Sequence, residues 1–535
     1  MKRIHVAALL ACVACAGAPT ALRAQSETPA AATAAAPNAT PSLDDALHKY
    51  RLGQFDAAAQ EYQALTTGPQ AGLAYAGLAR SDLRLRNPTD AYAAASKAVE
   101  VAPRAPDTQV ALGEVYFRQG KIADAEDIFV KVINGGAEDA RAYLGLAHVS
   151  AAAALYAREK TMLDQAHALD PSDPDIQRAW LGMMTLGDRI KALHDRLAND
   201  KTLSASERDA TERQIALLQN QPGPAVHACH MTSKVSSTQM RLKQMLYGSP
   251  TIRGYGLDVS LNGVTSHLRL NTSGNGILVD SKVAEKAGIK RLGDAPISGP
   301  GDHGPVAGYV GQVDTVRIGD LEFQDCRVQV IESRSALGED GIIGGMVLSG
   351  FLVDLDMPNG KLTLSPLPAR PDEAAPEEAL QSGQETVPQF HDRYVAPEME
   401  SFTRVFRVGA TLLMPTKLND KESTLFVVGT GSDVNIISSE AAHEVTHVAN
   451  DVRSHLKTLN GNIKDVSRGD YVTLTFGNFR QETFGMLSMD LKQRSDDLGV
   501  EVSGILGFPV LRLFEMKIDY RDNLIGLSYN ENQVR

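Results

Sequence analysis

Residues 426–447 read FVVGTGSDVNIISSEAAHEVTH. An apolar run, Phe426 to Val428, has the composition of a buried strand, and Gly429 to Asp433 break it with a tight polar turn. A second short strand follows at Ile436 and Ile437, and SSEAAHEV then reads as a short helix. The same order occurs once before, in LRLNTSGNGILVDSKVAEKAGI at 268–289. Ser281 lies ten residues after Asn271, and Ser439 lies ten after Gly429. The stretch is therefore one half of an internal duplication.

Each copy is preceded by a hairpin signal, with Asn262-Gly263 in the first, and each closes in the same way. DGIIGGMVLSGFLVDLDMPNGKLTL ends the first and SGILGFPVLRLFEMKIDYRDNLIGLSY ends the second. Gly344 to Asp356 and Gly507 to Asp519 are both twelve residues. Two copies with matched spacing resemble the two lobes of the pepsin and retropepsin superfamily. In that family a strand ends in hydrophobic-Asp-Thr/Ser-Gly, a flap hairpin follows, and hydrophobic-hydrophobic-Gly precedes a short turn. Ile342-Ile343-Gly344 and Ile505-Leu506-Gly507 match the last element. The resemblance spans 246–366 and 401–535 and implies two all-β lobes with a groove between them.

The resemblance also implies an aspartate at Asn271 and at Gly429, one from each lobe. In the family these two carboxylates share a proton, so that one activates water while the other protonates the scissile carbonyl. Here Thr272 is kept beside Asn271, and Thr430 and Gly431 are kept beside Gly429. Asn does not ionise near neutral pH and Gly has no side chain, so the dyad is missing. Asp433 is expected to point away and Asp280 to cap a helix. What remains is a groove able to hold an extended peptide through main-chain hydrogen bonds. Its flap candidates are GDHGPVAGYVGQVDTVRIG at 301–319, with Gly308 and Tyr309, and the stretch around NGNIKDVSRGDYVTLTFG at 460–477. An endopeptidase with a non-standard dyad is the alternative.

HEVTH, at the other end of the opening stretch, matches the HExxH pattern of zinc hydrolases. On a continuous helix His443 and His447 would share a face as ligands, with Glu444 as general base. The third ligand is missing at the expected downstream spacings, because no Glu occurs between Glu444 and Glu482 and the residue six after His447 is Arg453. The duplication instead makes SSEAAHEV the counterpart of DSKVAEKA. No metal and no other cofactor is expected.

Residues 42–200 are Ala-rich and periodic. Gly53, Asn87 and Gly120 fall 34 and 33 residues apart, and Pro69, Pro103 and Pro171 follow the same period. Period and small-residue positions, as in ALGEVYFRQGKIADAEDIFVKVI, resemble tetratricopeptide repeats, which implies an all-α solenoid that binds a partner protein or peptide. About four repeats fit, followed by helices around Trp180 and one opened by Ser204 and Glu207. A connector at 201–245 and a Pro/Glu-rich linker at 367–400 separate the modules.

The first 24 residues, a basic start with a short apolar core and small residues, are expected to be an export signal cut after Ala24. This places the protein in the periplasm or outside the cell, with lipidation at Cys12 as the alternative. Residues 25–41 read as a disordered Ala/Pro-rich tether. The apolar run is too short to span a membrane. A net charge of -12 disfavours nucleic acid as partner. Cys229 and Cys326 remain after cleavage and could form one disulfide.

Overall fold

The computed structural model describes residues 8–10, 41–201, 203–219, 229–246, 251–299, 304–332, 339–371, 390–451 and 456–529. The cleavage position at Ala24, Cys12, the tether up to residue 40 and most of the 367–400 linker lie outside them. Two compact units form: Ala16–Val149 with Arg158–Ala216, and Met1–Cys15 with Ser150–Ala157 and Leu217–Arg535. None of the described helices is long and apolar enough to cross a membrane.

The first unit is built of helical pairs. These are α1 (Leu43–Arg51), α2 (Phe55–Leu65), α3 (Ala71–Arg84), α4 (Pro88–Val101), α5 (Pro106–Arg118), α6 (Ile122–Asn134), α7 (Ala140–Ala152) and α8 (Tyr156–Leu169). Three further helices follow: α9 (Pro174–Gly182), α10 (Leu186–Asn199) and α11 (Ala205–Gln219). Small residues set the helix spacing. A Cβ at Gly77 would stand 2.3 Å from the Tyr62 ring, and one at Gly113 2.6 Å from Phe129. Gly53 and Gly120 turn the chain with positive φ, as their period suggests, whereas the corresponding left-handed residue of the second pair is Arg86 rather than Asn87. Asn87 is the residue on which α4 begins.

The second unit contains two closed six-strand barrels. In the first, β1 (Gly254–Leu261), β2 (Val264–Asn271), β3 (Ile277–Asp280), β4 (Gly308–Ile318), β5 (Leu321–Ile331) and β6 (Gly341–Gly344) join in the order β1-β2-β6-β3-β5-β4 and back to β1. After these come β7 (Phe351–Asp356) and β8 (Lys361–Pro366). In the second, β9 (Thr411–Leu418), β10 (Ser423–Val428), β11 (Ile436–Ser438), β12 (Val466–Phe476), β13 (Phe479–Met489) and β14 (Gly504–Leu506) close in the corresponding order. The first two strands of each barrel are linked by the expected tight turn. Asn262 and Gly263 both have positive φ, as do Asn419 and Asp420, which matches the right-handed twist of the flanking strands.

The barrels share a third sheet. β7 pairs antiparallel with β15 (Phe514–Asp519), and β8 and β16 (Leu524–Tyr529) flank them. Thr238–Arg241 completes the sheet on the side of β8 and Thr403–Arg404 on the side of β16. Residues 229–245, read from the sequence as connector, thus supply strands to the lobes. His230–Met231 pairs with β5, and the disulfide Cys229–Cys326 ties the same two segments together. Although the sequence places Cys229 in the connector, it immediately precedes the strand His230–Met231 of the first lobe, so both cysteines belong to that lobe. Leu257, Leu268 and Leu270 of one lobe and Leu412, Phe426 and Leu474 of the other belong to one buried apolar cluster, each such side chain stabilising the fold by about 1.5–3 kcal/mol.

Candidate functional site

The pattern of β2 brings Leu268 and Leu270 into the core and sends Arg269 and Asn271 to its other face. At the end of β2 the chain turns, with the Gly274 N–H bonding the Asn271 carbonyl at 3.0 Å. Gly344, the end of β6, pairs with Asn271. A Cβ there would lie 2.3 Å from the Gly274 carbonyl carbon, so hydrophobic-hydrophobic-Gly is required where it stands. The second lobe repeats the arrangement, with the Ser432 N–H bonding the Gly429 carbonyl at 3.1 Å.

The two turns grip each other. Thr272 Oγ1 donates to the Val428 carbonyl (2.7 Å) and accepts from the Thr430 N–H (3.1 Å). Reciprocally, Thr430 Oγ1 donates to the Leu270 carbonyl (3.0 Å) and accepts from the Thr272 N–H (3.1 Å). Ser273, which departs from the family pattern, adds a bond from its hydroxyl to the Val428 carbonyl (2.7 Å). The Tyr520 hydroxyl donates to the Thr272 carbonyl (3.0 Å), and burial pushes its pKa up. Asn271 is buried and leans across to the other lobe, so that a Cβ at Gly431 would lie 2.8 Å from its Cγ. At Gly429 a Cβ would meet only Ile505, at 3.2 Å, and Val427, at 3.6 Å. The dyad-equivalent turns therefore meet across the lobes, with an amide on one side and a hydrogen on the other.

Beside them lies a charged cluster that the sequence reading missed. Arg269 is fully buried; its Nη2 donates to the Arg253 carbonyl (2.8 Å) and its Nη1 is 3.9 Å from Glu339 Oε1. The Asp433 side chain is also buried and faces Arg253 of the other lobe at 3.6 Å. Neither Glu339 oxygen has a hydrogen-bond partner among the described residues. Burial pushes the Glu339 carboxyl up to about 9, and the negative Asp433 adds to the effect. The duplication places Val427 opposite Arg269 and Val502 opposite Glu339, both buried. That mismatch between the copies is the signal that could have exposed the cluster.

In the second lobe, the hairpin of Leu456–Thr458 and Gly461–Ile463 carries Leu459 and Asn460 at its tip. Asn460 Nδ2 donates to the Ile297 (3.0 Å) and Gly304 (2.7 Å) carbonyls of the first lobe. Leu459 packs with Leu278, Ile297, Ile331 and Ile342. Gly308 and Tyr309 stand on β4 rather than at the tip of their flap, and Tyr309 lies beneath the Arg291 guanidinium at 4.5 Å. The backbone of Ala8–Leu10 pairs in parallel with Leu456–Thr458.

The zinc-like motif does not form its helical face. The helix is Ser439–Val445 and Thr446 is extended, so His443 and His447 are not one helical turn apart. All three of His443, Glu444 and His447 are exposed, and His447 Nδ1 is 3.1 Å from Asp470 Oδ2. Asp280 caps the helix Ser281–Lys286 through the Val283 N–H (2.8 Å), as expected.

The aspartyl protease family model matches residues 257–347 and 414–510. Among solved structures the chain is similar to a tetratricopeptide-repeat protein of Thermus thermophilus, at 22% identity over 34% of this chain and 97% of that one, with a TM-score of 0.28. It is also similar to a retropepsin-like aspartic protease of Rickettsia conorii, at 16% identity over 25% of this chain and 93% of that one, with a TM-score of 0.19. No curated protein matches. The chain joins a region of helical repeats to two six-strand barrels, and the aspartyl protease model matches within each barrel.

Proposed function

We propose that the paired lobes hold extended polypeptide without cleaving it, and that the repeats recruit a partner protein, in an exported protein. The observation that carries this reading is the intact threonine grip around Asn271 and Gly429, with no carboxylate at either position. General acid–base help of about 10²–10⁴-fold is lost with the dyad, while the hairpin Leu456–Ile463 still reaches across to the first lobe. Main-chain pairing of Ala8–Leu10 along Leu456–Thr458 supports an edge that accepts an extended chain. The test is incubation of purified protein with unfolded substrates between pH 3 and 7. Binding without cleavage is expected; pepstatin-sensitive cleavage overturns the reading.

One observation favours a second reading, an endopeptidase with a displaced acid pair. Glu339 is a buried carboxyl beside Asp433, close to the grip. Under that reading Glu339→Gln abolishes cleavage, whereas under the first there is none to abolish.

A further inference from the structure

The two turns that grip each other are built alike, and one hydrogen bond tells them apart. In the first the Gly274 N–H bonds the Asn271 carbonyl (3.0 Å), and in the second the Ser432 N–H bonds the Gly429 carbonyl (3.1 Å). Ser273 and Gly431 therefore hold equivalent places. The Ser273 N–H donates to Asn271 Oδ1 at 3.2 Å. Its counterpart, the Gly431 N–H, has no such acceptor within its own turn, because residue 429 ends at Cα.

The bond from Ser273 also fixes which way the Asn271 amide faces. An N–H meets an acceptor and not another donor, so Oδ1 rather than Nδ2 lies on that side. The same oxygen is turned towards the second lobe, where a Cβ at Gly431 would stand 2.9 Å from it. A carbonyl oxygen has two lone pairs, and Ser273 engages one of them. A Cβ at Gly429 would meet only Ile505, at 3.2 Å, and Val427, at 3.6 Å, so there is room for side-chain atoms that this chain does not supply. A group entering there lies between a backbone donor on Gly431 and an amide acceptor on Asn271. A carboxylate offers only acceptors and would set its charge against Oδ1. An ammonium or guanidinium offers only donors and leaves the N–H unmet. A primary carboxamide carries both functions on two atoms, as Asn271 itself does, with its oxygen for Gly431 and its NH2 for Oδ1.

We propose that a polypeptide held between the lobes is anchored by a Gln or Asn side chain, whose carboxamide takes the position opposite Asn271 that Gly429 leaves open. This names the ligand class for the polypeptide-holding role given to the lobes above and rests on that role. A buried site that meets both ends of a carboxamide discriminates against side chains that leave a donor or an acceptor without a partner. The probes are fluorescein-labelled nonapeptides of Ala, Val and Lys that differ only at the central residue, titrated against the full chain and read by anisotropy. Central Gln is expected to bind about tenfold tighter than central Met, Glu or Thr. Gly429→Asn supplies the carboxamide from the chain itself and is expected to bring central Gln down to the level of central Met. Should that variant fail to fold, Gly429→Ala puts a methyl group into the same room, and a smaller loss of the Gln preference is expected. Equal binding of all four peptides overturns the inference while the polypeptide-holding role stands, and binding of none overturns both. A Gln preference left untouched in the folded variant also overturns the inference.

Discussion

At the residue scale, the grip makes opposite demands on two neighbouring glycines. Gly431 faces the Asn271 side chain closely enough that a methyl group cannot enter without displacing it, whereas Gly429 has room for one after a small shift of Ile505. Gly431→Ala is therefore expected to cost several times more stability than Gly429→Ala, measured by urea unfolding. Thr430→Val removes a hydroxyl that both donates and accepts in a buried site. It leaves the Thr272 N–H unmet and is expected to cost about 1–3 kcal/mol. Glu339 carries a pH signature. Its folded-state pKa, about 9, is raised above its ordinary 4.5, so between these values the folded protein holds a proton that the unfolded chain has lost. Its contribution to stability is fully present below about pH 4.5 and is lost as pH rises towards 9, at up to about 1.4 kcal/mol per unit. Glu339→Gln is expected to remove that slope in denaturation series run at several pH values.

At the level of elements, the flap hairpin of the second lobe is held to the first by the apolar packing of Leu459 and the hydrogen bonds of Asn460. Asn460→Ala deletes both bonds to the Ile297 and Gly304 carbonyls, and faster amide exchange at Leu456–Ile463 is expected, with little change in global unfolding. The repeats, the hairpin turns and the strand-turn-helix order of each lobe were legible in the sequence, because each is set by local periodicity and turn chemistry. Arg269 was not. It alternates with Leu268 and Leu270 as a solvent-facing residue would, yet it is buried, beside the Arg253 carbonyl and Glu339. The same limit hid Leu459 and Asn460, whose partners lie more than 100 residues away. HEVTH, set aside in the sequence for want of a third ligand, also lacks the shared helical face, since the helix stops at Val445.

For the whole molecule, the shared sheet and the disulfide tie segments far apart in sequence. Cys229 and Cys326 are separated by 97 residues, so Cys326→Ser is expected to cost about 2–5 kcal/mol in oxidised protein. The same variant compared under reducing conditions should show no difference, which isolates the covalent contribution. The antiparallel pairing of β7 with β15 makes the lobes one folding unit, yet the duplication has not left them chemically equal. Where the first lobe buries Arg269 and Glu339, the second buries Val427 and Val502. Two copies with the same interior would answer a change of pH alike. Here one copy holds a carboxyl that exchanges a proton where the other holds a valine that cannot titrate, so acid and base act unequally on the two halves of one duplicated pattern.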